Sequence, residues 1–364
     1  MRWRIFSKGP LLSRVFVYEE DHRPTLLSPL YIASFSSFGD ADFQGRALAT
    51  LRSLRSSRAE VACSPVLLSA YDLKRRLKTG EQTHSGDNSC ELIAELNKGC
   101  YWQLDSGVFE QDSFQDETWT GAEFISVFQA ARPPWVVAFD FRPNASSIAA
   151  FEEALRKAIR GARESLGGSI TTLLMRFHGD AGLWEREKSD SETNRITGML
   201  SVLSEVLREA SACIHVVGVV ENELGPGIRS RLRSLARLRR KLDDAGIEMP
   251  IHIFGASDPQ ALALYCLAGA DMFDGVNWSR YYLDVEDCCL RDKGLLSWKE
   301  PSLGEATSMA RQVEMLGVGN IFRMQRFMAN LRRLAETRQP QTAAEEAWMG
   351  FVGSCCEEII ERRE

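Results

Sequence analysis

The stretch "IHIFGASDPQALALYCLAGADMFDGV" (251–276) sets two short apolar runs around a helix. "PIHIFGA" (250–256) and "ADMFDGV" (270–276) are unbroken β-type runs, and "SDP" opens residues 257–268 with a helix-start signal. A strand that is apolar at nearly every position is covered on both faces, as in a parallel sheet flanked by helices. Strand, helix and strand in so short a span define one βαβ unit.

Working outward, the same run recurs at "PLYIASF" (29–35), "PVLLSAY" (65–71), "CYWQLDS" (100–106), "WVVAFDF" (135–141), "ITTLLMRF" (170–177) and "CIHVVGVV" (213–220). Helical patterns lie between the later runs, at 149–166 and 196–210. "SRLRSLARLRRKLDDAG" (230–246) puts Leu232, Leu235, Leu238 and Leu242 on one face, with Gly246 as a stop. Eight strands alternating with helices predict a closed (β/α)8 TIM-type barrel. An open doubly wound sheet is the alternative, but no Gly-rich phosphate fingerprint follows any strand. "MRWRIFSKGPLLSRVFVYEE" (1–20) reads as an N-terminal β-hairpin with a Gly-Pro turn, closing the lower end of the barrel. Residues 107–134 form an insertion in which "DETWTGAEF" starts a helix, and insertions on that face are usually functional. The expected division is a barrel over 1–303 and a C-terminal helical extension over 304–364.

The chain has 364 residues, 44% hydrophobic and 26% charged, an ordinary globular balance. Its net charge of −6 gives no overall pull toward nucleic acid, so any such binding must come from a local patch. No stretch approaches the ~20 apolar residues of a membrane span, and "MRWRIFSKGP" lacks the apolar core of a signal peptide. The nine cysteines, an odd count with no leader, favour reduced thiols and a cytoplasmic location.

In a barrel of this type the reacting groups sit at the C-terminal ends of the strands. Those ends supply Asp105, Asp140, His178, Glu223 and Asp274. One acid there is most simply a helix N-cap, whereas four converging on one mouth are costly unless substrate or protons compensate.

"QLDSGVFE" (103–110), "VVAFDFRP" (136–143), "GVVENELG" (218–225) and "IHIFGASDPQALALYCLAGADMFDGVNWSR" (251–280) resemble, in order and spacing, the tRNA-guanine transglycosylase superfamily. The resemblance spans about residues 29–282 and is most similar to the branch that places 7-deazaguanine bases in DNA, the DpdA family. It implies exchange of a guanine for a 7-cyano-7-deazaguanine-type base without strand cleavage, in DNA modification and restriction. Asp274 aligns with the nucleophile that attacks C1′, and Asp105 with the general acid and base. Asp140 aligns with the carboxylate that reads the base's edge, and Phe109 and Phe254 with the side chains that sandwich it. Gly218 and Val219 match the backbone that meets the base, and Glu223 an acid of the same pocket. Arg280 aligns with an arginine near the polynucleotide, and Arg142, at another strand end, is a second expected phosphate contact. The implied partners are DNA, the 7-deazaguanine base and a helper protein that opens the duplex. Transfer to tRNA and a non-catalytic partner subunit of the superfamily are the two alternatives.

Several features depart from that pattern. His178, followed by Gly179, stands where the family has a glutamine, and Val108 replaces a glycine. The tRNA enzymes' Cys-x-Cys-x-x-Cys and later His are absent; beyond the barrel strands only Cys288, Cys289, Cys355 and Cys356 remain, with no histidine after His252. Adjacent cysteines are poor tetrahedral ligand pairs, so no metal and no cofactor is expected. "RSRLRSLARLRRK" (229–241) reads as the solvated face of a barrel helix, and "FRMQRFMANLRRL" (322–334) either packs or meets a phosphate backbone. Around the nucleophile, Gly275 is expected to leave space beside Asp274. Asp271 reads as a polar residue where the strand begins, and Trp278 has no assigned role.

Overall fold

The computed structural model describes residues 3–20, 25–36, 43–56, 64–78, 88–98, 101–139, 147–175, 190–284, 288–292 and 309–360. Its centre is a closed barrel of eight parallel strands: β4 (Leu30–Phe35), β5 (Val66–Ser69), β6 (Trp102–Asp105), β7 (Trp135–Val137), β8 (Ile170–Met175), β9 (Val216–Val220), β10 (Ile251–Phe254) and β11 (Met272–Gly275). Consecutive strands are neighbours, and β11 pairs with β4 to close the ring, Asp274 opposite Ile32. All eight runs read from the sequence are therefore barrel strands, each flanked by helix as a (β/α)8 barrel requires.

Period-two alternation divides each strand between two environments. Tyr31, Ala33, Val217, Val219, Ile253 and Phe273 point outward into the shell shared with the helices. Leu30, Ile32, Trp135, Ile170, Val216 and Met272 point inward. The amphipathic helix Ile228–Asp244 buries Leu232, Leu235, Leu238 and Leu242 against this wall, and Gly246 ends it with φ 68°. Helix Pro259–Leu267 begins as its sequence indicates, with Asp258 accepting from Ala261 N at 2.9 Å.

Before the barrel, β1 (Arg4–Lys8), β2 (Arg14–Tyr18) and β3 (Leu26–Leu27) form an antiparallel sheet. Trp3, Phe16 and Tyr18 join the inner cluster beside Leu30 and Trp135, so the hairpin plugs the N-terminal end. The segment 107–134 contains a short helix, Val108–Phe114, and the barrel's own helix Gly121–Ala131, capped by Thr120. It is less an insertion than a short extra helix of about two turns just beyond β6.

After β11 come a four-residue helix (Asn277–Arg280), the pair β12 (Tyr282–Asp284) and β13 (Cys289–Arg291), and two long helices, Met309–Thr337 and Ala343–Ile360. The last two pack on the barrel. Gln325 donates to Tyr31 O at 3.0 Å, Arg332 to Leu27 O at 3.0 Å, and Arg323 lies 4.8 Å over the Tyr282 ring. Much of the basic 322–334 stretch is thus spent on helix packing. In the 229–241 stretch Arg229 stacks on Phe351, Arg231 bonds Glu221, and Arg239 is fully buried. That stretch is an interface with the C-terminal helix as well as a solvated face. No helix among the described residues is long and apolar enough to cross a membrane.

Candidate active site

Asp274 is the last inward-facing residue of β11 and is only 6% exposed. Its carboxylate is held from two sides. Ser34 Oγ, on the neighbouring β4, donates to Oδ2 at 2.6 Å, and Gly255 N, just past β10, donates to Oδ1 at 3.2 Å. His252 Nε2 also lies 3.2 Å from Oδ1, but off the line of a hydrogen bond, so neither imidazole nitrogen has such a partner among the described residues. Fixed donors hold the carboxylate in one orientation. The field of Asp274 reaches the wall: burial first, and then this neighbouring charge, push the Tyr31 hydroxyl well above the ordinary tyrosine range.

Phe254 lies beside the acid on the inner face of β10, stacked on His252 with ring centroids 3.9 Å apart. Gly218 makes this possible. A Cβ there would stand 2.8 Å from Phe254 Cε2 and 3.1 Å from Thr172 Cγ2. Val219, next along β9, turns its side chain out to the helices, so only its backbone is available to a ligand inside the barrel.

Asp105 ends β6, three strands round from β11, and both side chains face inward. Three spacings of about 4.8 Å put the two carboxylates' strands about 14 Å apart as measured around the wall. Asp105 Oδ2 accepts from Gly107 N at 3.1 Å. Gly107 takes φ 76°, and a Cβ on it would sit 2.6 Å from Tyr71 Cβ, so only glycine fits this "DSG" turn. The turn launches the Val108–Phe114 helix, which carries Phe109 at 57% exposure and Glu110 buried.

The remaining expected residues divide into three groups. Glu223 is half-buried in the 3-10 turn Glu221–Leu224 after β9, where Glu221 is the acid tied to Arg231 (2.9 Å) and Tyr265 (2.8 Å). Arg280 is exposed at the end of the short helix after Asp274. Asp140, Arg142 and His178 lie outside the described residues.

One expectation around Asp274 needs correction. Gly275 does not open space beside the carboxylate. Alternation turns it outward, where a Cβ would meet Ser257 Cβ at 2.7 Å, and its carbonyl accepts from Tyr31 at 3.0 Å. Asp271, the polar residue where β11 begins, is fully buried and paired with Arg239. Trp278, left unassigned above, is a strut: its Nε1 donates to Ser34 O at 3.0 Å and its ring meets Phe35 at 4.9 Å.

Ser34 and Glu110 are the residues the sequence reading missed. Ser34 is a polar residue near the end of β4, and Glu110 lies on the helix Val108–Phe114 just beyond β6. Among the described residues no three His, Cys, Asp or Glu side chains come together in a group able to hold a metal. Cys355 and Cys356 are buried on the last helix, while Cys288 and Cys289 are half-buried near β13. No protein-family model matches the chain, and no curated protein matches it.

Proposed function

We propose that this protein is a DNA guanine transglycosylase, exchanging guanine for a 7-deazaguanine base of the 7-cyano type through a glycosyl-enzyme at Asp274. The observation that carries the reading is the Asp274 carboxylate, buried at a barrel mouth, fixed by Ser34 and Gly255, with Phe254 beside it. Displacement at an anomeric carbon develops oxocarbenium character, which an oriented carboxylate stabilises and captures. A second displacement by the incoming base restores the β configuration. Asp105, across the mouth, protonates the departing guanine and later deprotonates its replacement. Phe254, and Phe109 from the mouth helix, offer faces to a flat ring, so the target nucleotide leaves its stack to enter. Asp140 is assigned the base's N–H edge, with His178 and Glu223 in the same pocket. Arg280 and Arg142 are assigned the phosphates. The scheme invokes neither metal nor redox cofactor. It serves DNA marking in the cytoplasm, with a helper protein opening the duplex.

DNA is preferred to tRNA because the tRNA enzymes' zinc-ligand pattern is missing from the sequence. The test is trapping of a covalent adduct on a denaturing gel with labelled single-stranded DNA and, separately, tRNA. The expected result is an adduct with DNA that Asp274→Asn abolishes. An adduct with tRNA alone changes the substrate. No adduct with either, with the helper protein supplied, makes the chain a non-catalytic member.

A further inference from the structure

The mouth holds a second buried acid for which the scheme above has no task. Glu110, one turn beyond Asp105, is 5% exposed. Ser69 Oγ donates to its Oε2 at 2.9 Å, and Ser36 Oγ donates to its Oε1 at 3.2 Å. These serines come from the ends of two different barrel strands, so the carboxyl is built into the wall. Ser69 pairs in register with Asp105 on adjacent strands, and both face inward, which sets the serine hydroxyl at the flank of Asp105.

The charged and titratable groups around Glu110 are mostly acids. Asp72, on helix Ala70–Lys78, faces it and is 2% exposed. Lys74 of that helix is tied to Glu123, and Tyr71 donates to Asp116 at 2.9 Å. Asp105 precedes Glu110 on its own segment, and Asp112 follows it on the same helix. Burial first, then the Asp72 charge, raise the Glu110 carboxyl to about 7, against its own backbone N–H and the two serines, which lower it.

Base exchange is proton-neutral over its two halves. The leaving guanine gains a proton, and the incoming base gives one up. Over the whole cycle Asp105 gives up one proton and takes one back, and a carboxyl that is ordinarily ionised at neutral pH has first to acquire the proton it delivers.

We propose that Glu110 is a positioning residue that stores this proton and passes it to and from Asp105 through the Ser69 hydroxyl. This rests on the transglycosylase reading. When Glu110 is protonated its O–H donates to Ser69 Oγ, which frees the serine hydrogen to turn toward Asp105. Transfer moves the Glu110 proton to Ser69 Oγ as the serine's own proton passes to the Asp105 carboxylate, leaving a neutral hydroxyl and an ionised Glu110. The second half-reaction runs the same path backward.

The test is exchange of radiolabelled guanine into a single-stranded guanine-containing oligonucleotide, between pH 5.5 and 8.5, with wild type, Glu110→Gln and Ser69→Ala. The expected result is a wild-type profile with a limb near neutrality that both variants lose. Their rates at pH 7 fall about tenfold, below the loss for a direct acid catalyst. A separate arm reads protonated carboxyl by infrared difference spectroscopy without substrate, where a band titrating near neutrality should vanish in Glu110→Gln and persist in Ser69→Ala. If wild type exchanges but the variants keep its pH profile, or if no such band exists, the proton store is refuted and the transglycosylase stands. If wild type exchanges with neither DNA nor RNA, the transglycosylase reading falls and this inference falls with it.

Discussion

Replacing Arg239 with methionine removes one end of a fully buried ion pair and leaves the other in place. The guanidinium donates to Gly269 O and Met249 O, each at 2.9 Å, and to Asp271 Oδ2, which also accepts from Ile251 N at 2.8 Å. One side chain thus fastens the starts of β10 and β11, the strands that carry His252 and Asp274. Burial lowers the Arg239 guanidinium to about 10 and raises Asp271, with the attraction between them offsetting only part of this. Without the arginine, Asp271 escapes its buried charge by taking up a proton. The charge's share of the cost therefore cannot exceed that of protonation, about 1.36 kcal/mol for each pH unit above its ordinary value. From a starting value of 3.8 the ceiling is about 4.4 kcal/mol at pH 7 and about 1.6 kcal/mol at pH 5. The first figure falls within the roughly 3–5 kcal/mol typical of broken buried pairs.

The sign follows from an acid raised in the folded state: the penalty is absent below its unfolded value and grows as pH rises. Arg239→Met should therefore lose most stability at neutral pH and recover up to about 2.7 kcal/mol of the deficit at pH 5. Wild type shows part of the same slope, because burial already raises its Asp271, so this is an upper bound. Adding Asp271→Asn should remove the pH dependence and leave only the two carbonyls that lost a donor. Urea unfolding followed by circular dichroism at pH 5 and 7 gives both numbers. A deficit that is equal at the two pH values, or larger at pH 5, refutes the reasoning.

Asp274→Asn should abolish the covalent adduct while leaving the barrel's thermal midpoint near that of wild type, as electrophoresis and melting curves would show. Glu110→Gln should flatten the pH–rate profile, as set out above. Gly218→Ala drives a methyl group to 2.8 Å from the Phe254 ring, and should cost about 1–3 kcal/mol and raise KM for the free base more than it lowers kcat. Arg332→Ala removes the donor that reaches Leu27 O at 3.0 Å and should destabilise by about 1–3 kcal/mol, with earlier proteolytic cleavage near the C terminus.

The barrel was legible because nearly all its strands are apolar on both faces and its helices carry one clean stripe, as in Leu232, Leu235, Leu238 and Leu242. The same property hid the interior. In a run such as "PLYIASF" every position is compatible with burial, so nothing local says that Ser34 turns inward and Ala33 outward. Asp105 and Asp274 were found because acids at strand ends are conspicuous. Ser34, a small residue whose task is defined by a neighbour 240 positions away, was not. Arg239 was misread for a related reason. It looks like surface charge until Asp271, the partner 32 positions along the chain, is known. Gly275 was assigned the wrong side of its strand because proximity in sequence to Asp274 was taken for proximity of side chains.

Asn320, on the long helix Met309–Thr337, has a consequence for the order in which the protein is made. Its buried amide donates to Trp278 O at 2.8 Å and Tyr281 O at 2.6 Å, and accepts from Leu283 N at 3.0 Å. The segment just beyond Asp274 is thus shaped by a residue synthesised well after it. A chain emerging from the ribosome has all eight strands before it has a finished rim. The segment beyond Asp274 takes its final shape only when the helix Met309–Thr337 docks.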